Sequence, residues 1–562
     1  MKINILIGGE AGQGLKTTFS ILGKALFRME FNLFSTKDYM SRIRGGHNFI
    51  KLRVGDEKIT GPADEIDILV ALNKETVKIH EENVKNRGVI ISEEKADSSV
   101  ENIVIPAGEI AKDVNPRALN TVFVGAVLKA LGVNTDNCQS VIREYFNDSK
   151  IIEDNLQLLE KGYQKGKEVL SLPENTFNNE QLFLDGNQAL ALGALSGGLK
   201  YYSAYPMSPS TSIMNFVAQK QKDLKVVVEQ AEDEIAAINM ALGASYGGIR
   251  SMTGTSGGGL ALMNEGIGLA GITETPLVIV DVQRPGPATG LPTRTSQADL
   301  LFAINSSQGE FPLMVTAPRN HEVAFYDTFR ALNLADKYQI PVLILSDQFL
   351  ADSSTNIDEF DLSNLSIDSY FVDKEDFNGD QEYKRYNITD TGISPRAYPG
   401  QLEQTFTVDS DEHDEYGHII EDGDTRNNMV EKRASKEEKL KSNDIKEPLY
   451  TGQPAEEIDY LLIGYGSTYG PIKEAVSLLQ EDKLSVGYLS FTDIWPLPVK
   501  KLLKFNNAKI EFVCIENNYR GQFATLISQE TGIQIEHNIL KYNGRPFSGI
   551  EIYNRIKKEV IQ

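Results

Sequence analysis

Between residues 204 and 293, short apolar runs alternate with longer stretches of helical period, and each run ends in a loop of unusual composition. Residues 226–228 are a valine run. Residues 231–246 then carry apolar side chains at Ile235, Ile238, Ala241 and Leu242, a helical spacing. Residues 251–253 lead into a glycine loop, Thr-Gly-Thr-Ser-Gly-Gly-Gly (253–259). Residues 260–270 fit a second helix, and 277–281 read as a buried strand entering a Pro/Gly-rich loop. The predicted order is strand, helix, strand, helix, strand. It calls for a parallel sheet covered by helices, and such sheets bind ligands outside the carboxyl ends of their strands. The odd loops all fall at those ends, so one ligand can meet them together.

The same alternation recurs on either side. Residues 3–7 predict a first strand, 8–14 a glycine loop and 15–29 a helix; further strands near 68–71 and 88–91 and a helix at 119–132 extend this first domain to 172. Residues 173–184 are polar, with proline and asparagines, and read as a linker. The central domain occupies 185–351. Residues 352–450 are acidic and polar, and tyrosines and prolines interrupt them. Residues 451–562 form a last α/β unit, with strands at 459–464, 487–489 and 512–516 and a helix reaching about 480. The fold class is multidomain α/β.

Composition narrows the function. The chain has 562 residues, 41% of them hydrophobic and 24% charged, as in ordinary globular proteins. No run of eighteen apolar residues predicts a membrane span, and the short N-terminal apolar run reads as a strand, so a cytoplasmic location is expected. A net charge of −23 disfavours nucleic acid and anionic membranes as partners. The two cysteines, Cys138 and Cys514, are too few for a four-cysteine iron–sulfur cluster.

Candidate chemistry sits in three places. The loop Gly8 to Gly14 joins a strand to a helix N-terminus and suits an anion, but it matches neither standard fingerprint: Thr17 stands where a dinucleotide motif needs glycine, and Leu15 where a P-loop needs lysine. Arg42 and Arg44 precede Gly45 in Ser-Arg-Ile-Arg-Gly-Gly-His-Asn, either as an exposed basic turn or as an anion clamp. A nicotinamide dehydrogenase would need an acid about twenty residues past the first loop; Phe31-Asn32-Leu33-Phe34 occupies that region. Third, Glu232, Asp233 and Glu234 open the long helix of the central domain, where acids also favour the helix dipole. A carboxylate run with two histidines at 411–418 invites a metal reading but has no closed-site spacing; a solvated loop explains it as well.

Taken in order, Tyr-Pro-Met-Ser-Pro-Ser (205–210), Glu-Asp-Glu-Ile-Ala-Ala-Ile (232–238), the glycine loop, Gln-Arg-Pro-Gly-Pro (283–287) and Gly-Leu-Pro-Thr (290–293) resemble the α subunits of 2-oxoacid:ferredoxin oxidoreductases, which use thiamine diphosphate. Residues 1–172 resemble the γ subunit of these enzymes, and 451–562 a transketolase C-terminal-type domain. The resemblance implies a γ–α fused subunit with a pyrimidine-binding type central domain. It implies oxidative decarboxylation of a 2-oxoacid, 2-oxoglutarate before pyruvate or branched 2-oxoacids, with coenzyme A and ferredoxin. A non-catalytic scaffold subunit is the more distant alternative. Glu232, matching the family's Gln-Ser-Glu in Gln230-Ala231-Glu232, is implied as the catalytic carboxylate, with Glu234 as the alternative; Ser208, Arg284 and Thr293 are implied as substrate contacts. Gly12, Gly14, Arg42, Arg44 and Gly45 are implied as the coenzyme A loop. Magnesium, the diphosphate grip and a 4Fe–4S cluster are expected on a β subunit, with the active site at the α–β interface and ferredoxin docking on β. A dimer of αβ is the expected assembly. For 352–450 the resemblance implies an ordered, extended arm.

Overall fold

The computed structural model describes every residue except 42–44, 174, 178, 378–381, 507–508 and 562, and the side chain of 376. The chain forms two compact units, the first of residues 1–185 with 352–360 and 548–550, the second of the remainder.

The first unit is a mixed eight-stranded sheet. Strand Lys2–Glu10 pairs in parallel with Ile66–Ala71 on one side and antiparallel with His47–Gly55 on the other. Beyond Ile66–Ala71 the sheet continues in parallel through Val84–Ser92 and Glu101–Val104. Beyond His47–Gly55 it continues antiparallel through Asn32–Asp38, Ser354–Asp358 and Gln181–Asp185. The sequence reading differs here twice. The end of the expected linker is the strand Gln181–Asp185, and the expected arm begins with its partner, Ser354–Asp358. Each is a five-residue segment that becomes a strand because pairing satisfies its backbone, which composition does not reveal. Ile3, Ile5 and Ile7 meet Phe19, Leu22 and Leu26 of helix Leu15–Arg28 in the core. Helices Leu119–Ala130 and Ser149–Lys165 touch backbone to backbone: a Cβ on Gly162 would stand 2.0 Å from the Val122 carbonyl oxygen, so only glycine fits.

The second unit holds two sheets. The larger runs Asp493–Trp495, Met314–Thr316, Pro341–Asp347, Leu277–Gln283, Ser251–Thr255, Tyr201–Ala204, Val227–Gln230, parallel apart from its first strand. The smaller is Leu449–Gly452, Val486–Phe491, Tyr460–Tyr465, Glu511–Glu516, His537–Leu540, parallel apart from its first strand. One apolar cluster unites them, with Ile279, Leu343 and Val315 of one sheet and Ile463, Leu489 and Cys514 of the other. The predicted strand–helix alternation is present, although residues 257–272 form two helices, Gly257–Leu262 and Asn264–Ile272, rather than one.

The described residues of 361–448 are not extended throughout, as the arm was expected to be. Gly423–Asn443 is a 21-residue helix. Its buried positions are Met429, Lys432, Arg433, Lys436 and Leu440, a helical stripe carrying cations where a periodicity search expects apolar residues. Lys432 and Lys436 both pair with Glu274, and Arg396 pairs with Asp336. In the acidic run 411–418, Glu412 is taken up by Arg433 and Arg426, and His413 lies on the Tyr386 ring. Among the described residues no helix is long and apolar enough to cross a membrane.

Candidate active site at the carboxyl edge of the larger sheet

Four parallel strands of the larger sheet end side by side, at Ala204, Gln230, Thr255 and Gln283, and the loops that leave them carry the singular residues. After Gln230 the chain turns into helix Glu234–Tyr246. Asp233 caps this helix, its carboxylate accepting from the Ala236 amide at 2.7 Å. The cap fixes the helix phase. Glu232 falls outside the helix and is solvent-exposed, while Glu234 opens the first turn and is only 3% exposed.

Around Glu234 the other loops close in. A Cβ on Gly259 would stand 2.6 Å from Glu234 Oε1 and 2.0 Å from Thr255 Oγ1, so the glycine loop makes room for that carboxylate and hydroxyl. The Thr255 hydroxyl lies 3.8 Å from the Met207 sulfur. Arg284 Nη1 donates to the Ser208 carbonyl oxygen at 2.6 Å, tying the loop after Gln283 to the loop after Ala204. Glu234 Oε1 is buried with no hydrogen-bond partner. Burial pushes its carboxyl above the ordinary range, Asp233 adds to the rise, and Arg284 opposes it.

Beneath the loops lies a pair of acids that the sequence reading did not single out. Asp281, fully buried in strand Leu277–Gln283, lies beside Asp299, close enough for one proton to bridge the two carboxyls. Burial and the neighbouring Asp299 push Asp281 well up, and burial pushes Asp299 up to about 6. Both oxygens of Asp281 and one of Asp299 lack any conventional donor. A Cβ on Gly257 would come within 2.5 Å of Asp299 Oδ2. Burial lowers the Arg284 pKa, against Glu234, Asp281 and Asp299, all of which hold it charged. A signal for the pair exists in the sequence: an acid inside the run Leu-Val-Ile-Val-Asp-Val, where burial makes charge costly.

Of the expected site residues, Ser208 and Arg284 are brought together, through the serine carbonyl rather than its hydroxyl, and Glu234 joins them where Glu232 does not. Thr293 is buried on the same loop as Arg284, and Arg294 Nη1 donates to its carbonyl at 2.9 Å. In the first unit, Gly12, Gly14 and Gly45 all have positive φ. The pairing of Glu10 with His47 brings the loops that carry them to one end of the sheet. Arg42 and Arg44 lie outside the described residues. Beside Gly14 opens a cavity of 790 Å³ lined in part by Thr17, Arg117, Asn120 and Lys150.

Comparison with known proteins gives a consistent result. Residues 192–432 match the family model described as "Pyruvate flavodoxin/ferredoxin oxidoreductase, thiamine diP-bdg". Residues 4–165 match "Pyruvate ferredoxin/flavodoxin oxidoreductase", and 458–550 "Pyruvate:ferredoxin oxidoreductase core domain II". The chain is 33% identical to the 2-oxoacid:ferredoxin oxidoreductase subunit alpha of Saccharolobus solfataricus, over 100% of this chain and 98% of that one. It is 30% identical to the 2-oxoglutarate oxidoreductase subunit KorA of Mycobacterium tuberculosis, over 98% of this chain and 90% of that one. Among solved structures, the 2-oxoglutarate:ferredoxin oxidoreductase from Magnetococcus marinus, with 2-oxoglutarate, coenzyme A and succinyl-CoA bound, superposes with a TM-score of 0.92. Its sequence is 31% identical, with 100% of both chains covered.

Proposed function

The chain belongs to the α subunits of the 2-oxoacid:ferredoxin oxidoreductases, and on that premise we propose that it acts on 2-oxoglutarate, with coenzyme A, in a complex with a β subunit. The full-length likeness to a 2-oxoglutarate enzyme supports that substrate over pyruvate or a branched 2-oxoacid. When bound, thiamine diphosphate supplies the nucleophilic carbon and the electron sink for decarboxylation. The observation that carries the reading is the buried Glu234 carboxyl, whose Oε1 has no hydrogen-bond partner among the described residues. That donor set fits a cofactor ring nitrogen, which needs a carboxyl able to hold or release a proton. Glu234 rather than Glu232 is the group for this work.

Arg284 spends one nitrogen on the Ser208 carbonyl, which orients the guanidinium and leaves its other donors for a substrate carboxylate. Thr293, on the same loop, and Ser208 complete the substrate contacts of this reading. The missing side chain of Gly259 leaves room for the Glu234 carboxyl beside the Thr255 hydroxyl. Both cysteines are buried in apolar clusters, which supports a cluster-bearing β subunit as the route for electrons to ferredoxin. On the same reading, magnesium and the diphosphate are held by β, and the assembly is a dimer of αβ. Coenzyme A is assigned to the loops of Gly12, Gly14 and Gly45, with Arg42 and Arg44 as its clamp.

The test is to reconstitute the complex with Glu234→Gln and, separately, Glu232→Gln, and to follow 2-oxoglutarate- and coenzyme A-dependent ferredoxin reduction. Loss of a positioned proton-transfer group predicts a fall of about 10²–10⁴-fold for Glu234→Gln with assembly intact. Retention of more than about a tenth of parental turnover by that variant defeats the reading. Pyruvate assayed in parallel decides the substrate.

A further inference from the structure

Glu234 and Arg284 have tasks in the proposed reaction; the Asp281–Asp299 pair has none. The pair stands out by its place in the sheet and by its unpartnered oxygens. It stands at the carboxyl end of the central strands, with Asp281 level with Thr255 on one neighbouring strand and Leu345 on the other. Three of its four carboxyl oxygens are buried without a conventional donor. Two adjacent carboxylates, one of them fully buried, resist ionising together; one proton shared between them removes the repulsion and supplies the missing donor. The charged and titratable groups that face the pair are Arg284 from the following loop, Glu234 across that guanidinium, and Tyr465 from the smaller sheet. Arg284 is the one cation among them.

Two mechanical links run from the pair to the site. The Asp299 carboxyl fills the space where Gly257 would carry a side chain, and two residues later Gly259 makes room for Glu234. Asp281 and Asp299 together also hold Arg284 charged, while that guanidinium binds the Ser208 carbonyl. We propose that Asp281 and Asp299 hold one proton between them and act as positioning residues, keeping Arg284 and the 256–259 loop where the substrate carboxylate and Glu234 require them. This inference rests on the proposed function and deepens it. With one proton the pair carries a single negative charge, matching the single positive charge of Arg284. With none it would pull the guanidinium down and away from the substrate; with both acids protonated Arg284 would lose its nearest counter-charge.

The prediction is non-additive. Asparagine mimics a protonated aspartic acid, so Asp281→Asn and Asp299→Asn, each in the reconstituted complex, keep one carboxylate and stay within about threefold of parental kcat/KM near neutral pH. Asp281→Asn/Asp299→Asn removes the counter-charge and raises KM for the 2-oxoacid about tenfold or more, with kcat changed less. The pH profile separates positioning from mere structure. The pair's titration in kcat/KM moves to lower pH in either single variant, where the remaining carboxyl has no acid beside it, and the pH dependence of the melting temperature of the complex moves with it. Singles as damaged as the double, or a parental profile and melting curve retained in both singles, overturn the inference; if the double does not assemble, the profiles of the singles decide. Glu234→Gln is run alongside: full activity there fells the functional reading and this inference together, whereas inactivity there with additive aspartate variants fells this inference alone.

Discussion

Two ion clusters lie in the same unit and are built on opposite ratios of charge. At the carboxyl edge of the larger sheet, Glu234, Asp281 and Asp299 surround one arginine, and four carboxyl oxygens lack conventional partners. Under the arm, one acid, Glu274, receives two lysines, both of them buried, and Arg385 donates to its backbone carbonyl at 2.7 Å. Burial would raise the Glu274 carboxyl, but Lys432, Lys436 and Arg385 outweigh it and hold it far below the ordinary range. The first cluster is short of cations and therefore keeps protons; the second is short of anions and sheds them, burial taking Lys436 down to about 7. A cluster whose acid is ion-paired on both oxygens serves as a fastener. An unsaturated one costs stability and persists where its open valences are used.

Single substitutions break this contrast most sharply. Glu274→Gln strands two buried lysines, and removing one partner of a buried ion pair costs about 3–5 kcal/mol, so chemical denaturation of the complex should show a loss of that order. Protease sensitivity should appear first within 361–448. Replacing Glu274, Lys432 and Lys436 together by methionine should recover most of that loss, which would not happen if the lysines had a role beyond fastening. Gly259→Ala comes next. Its new methyl has no room beside Thr255 and Glu234, and overpacking of this kind costs about 1–3 kcal/mol. Because Glu234 must move, turnover should fall much further than the melting temperature suggests; a variant that is merely less stable at parental turnover would detach Glu234 from the chemistry.

The clusters should also answer pH with opposite signs. Asp299, raised to about 6 from 3.8, binds its proton more tightly folded than unfolded. Its contribution is complete below 3.8 and lost as pH climbs through about 6. Lys436, lowered to about 7 from 10.5, binds its proton less tightly folded than unfolded, so stability from this source grows as pH rises between those values. Melting temperatures of Asp299→Asn and Lys436→Met, each subtracted from the parent across pH, should therefore slope in opposite directions in those two windows. Curves of the same sign would show that one cluster is misread. The smallest effect is expected from Glu232→Gln, within about twofold of parent in turnover, as for an exposed group outside such features.

Much of this architecture was legible from local pattern. The strands ending at Thr255 and Gln283 and the first strand and helix of the chain follow from apolar runs and glycine loops, because those signals lie within a few residues of the elements they specify. The sequence reading chose Glu232, although the signal for which acid starts the helix is nearly local. Asp233 is a strong N-cap residue, and taking it as the cap places Glu234 on the first turn. Which face of that turn is buried depends on Gly259 and Arg284, 25 and 50 residues away, and no period encodes that. The arm helix escaped notice for a related reason, since its inward stripe is lysine and arginine, apolar only in their stems.

By itself, the sequence determined the family, the alternation of strand and helix, and the set of loops that gather at one sheet edge, since all three rest on residues read in order along the chain. Tertiary structure alone decided which acid is buried, that Asp281 and Asp299 meet across 18 positions, and that Glu274 collects two lysines from a helix more than 150 residues later. The physical reason is that a carboxyl's proton affinity is set by what excludes water from it and by the charges within a few ångströms, and both are properties of packing.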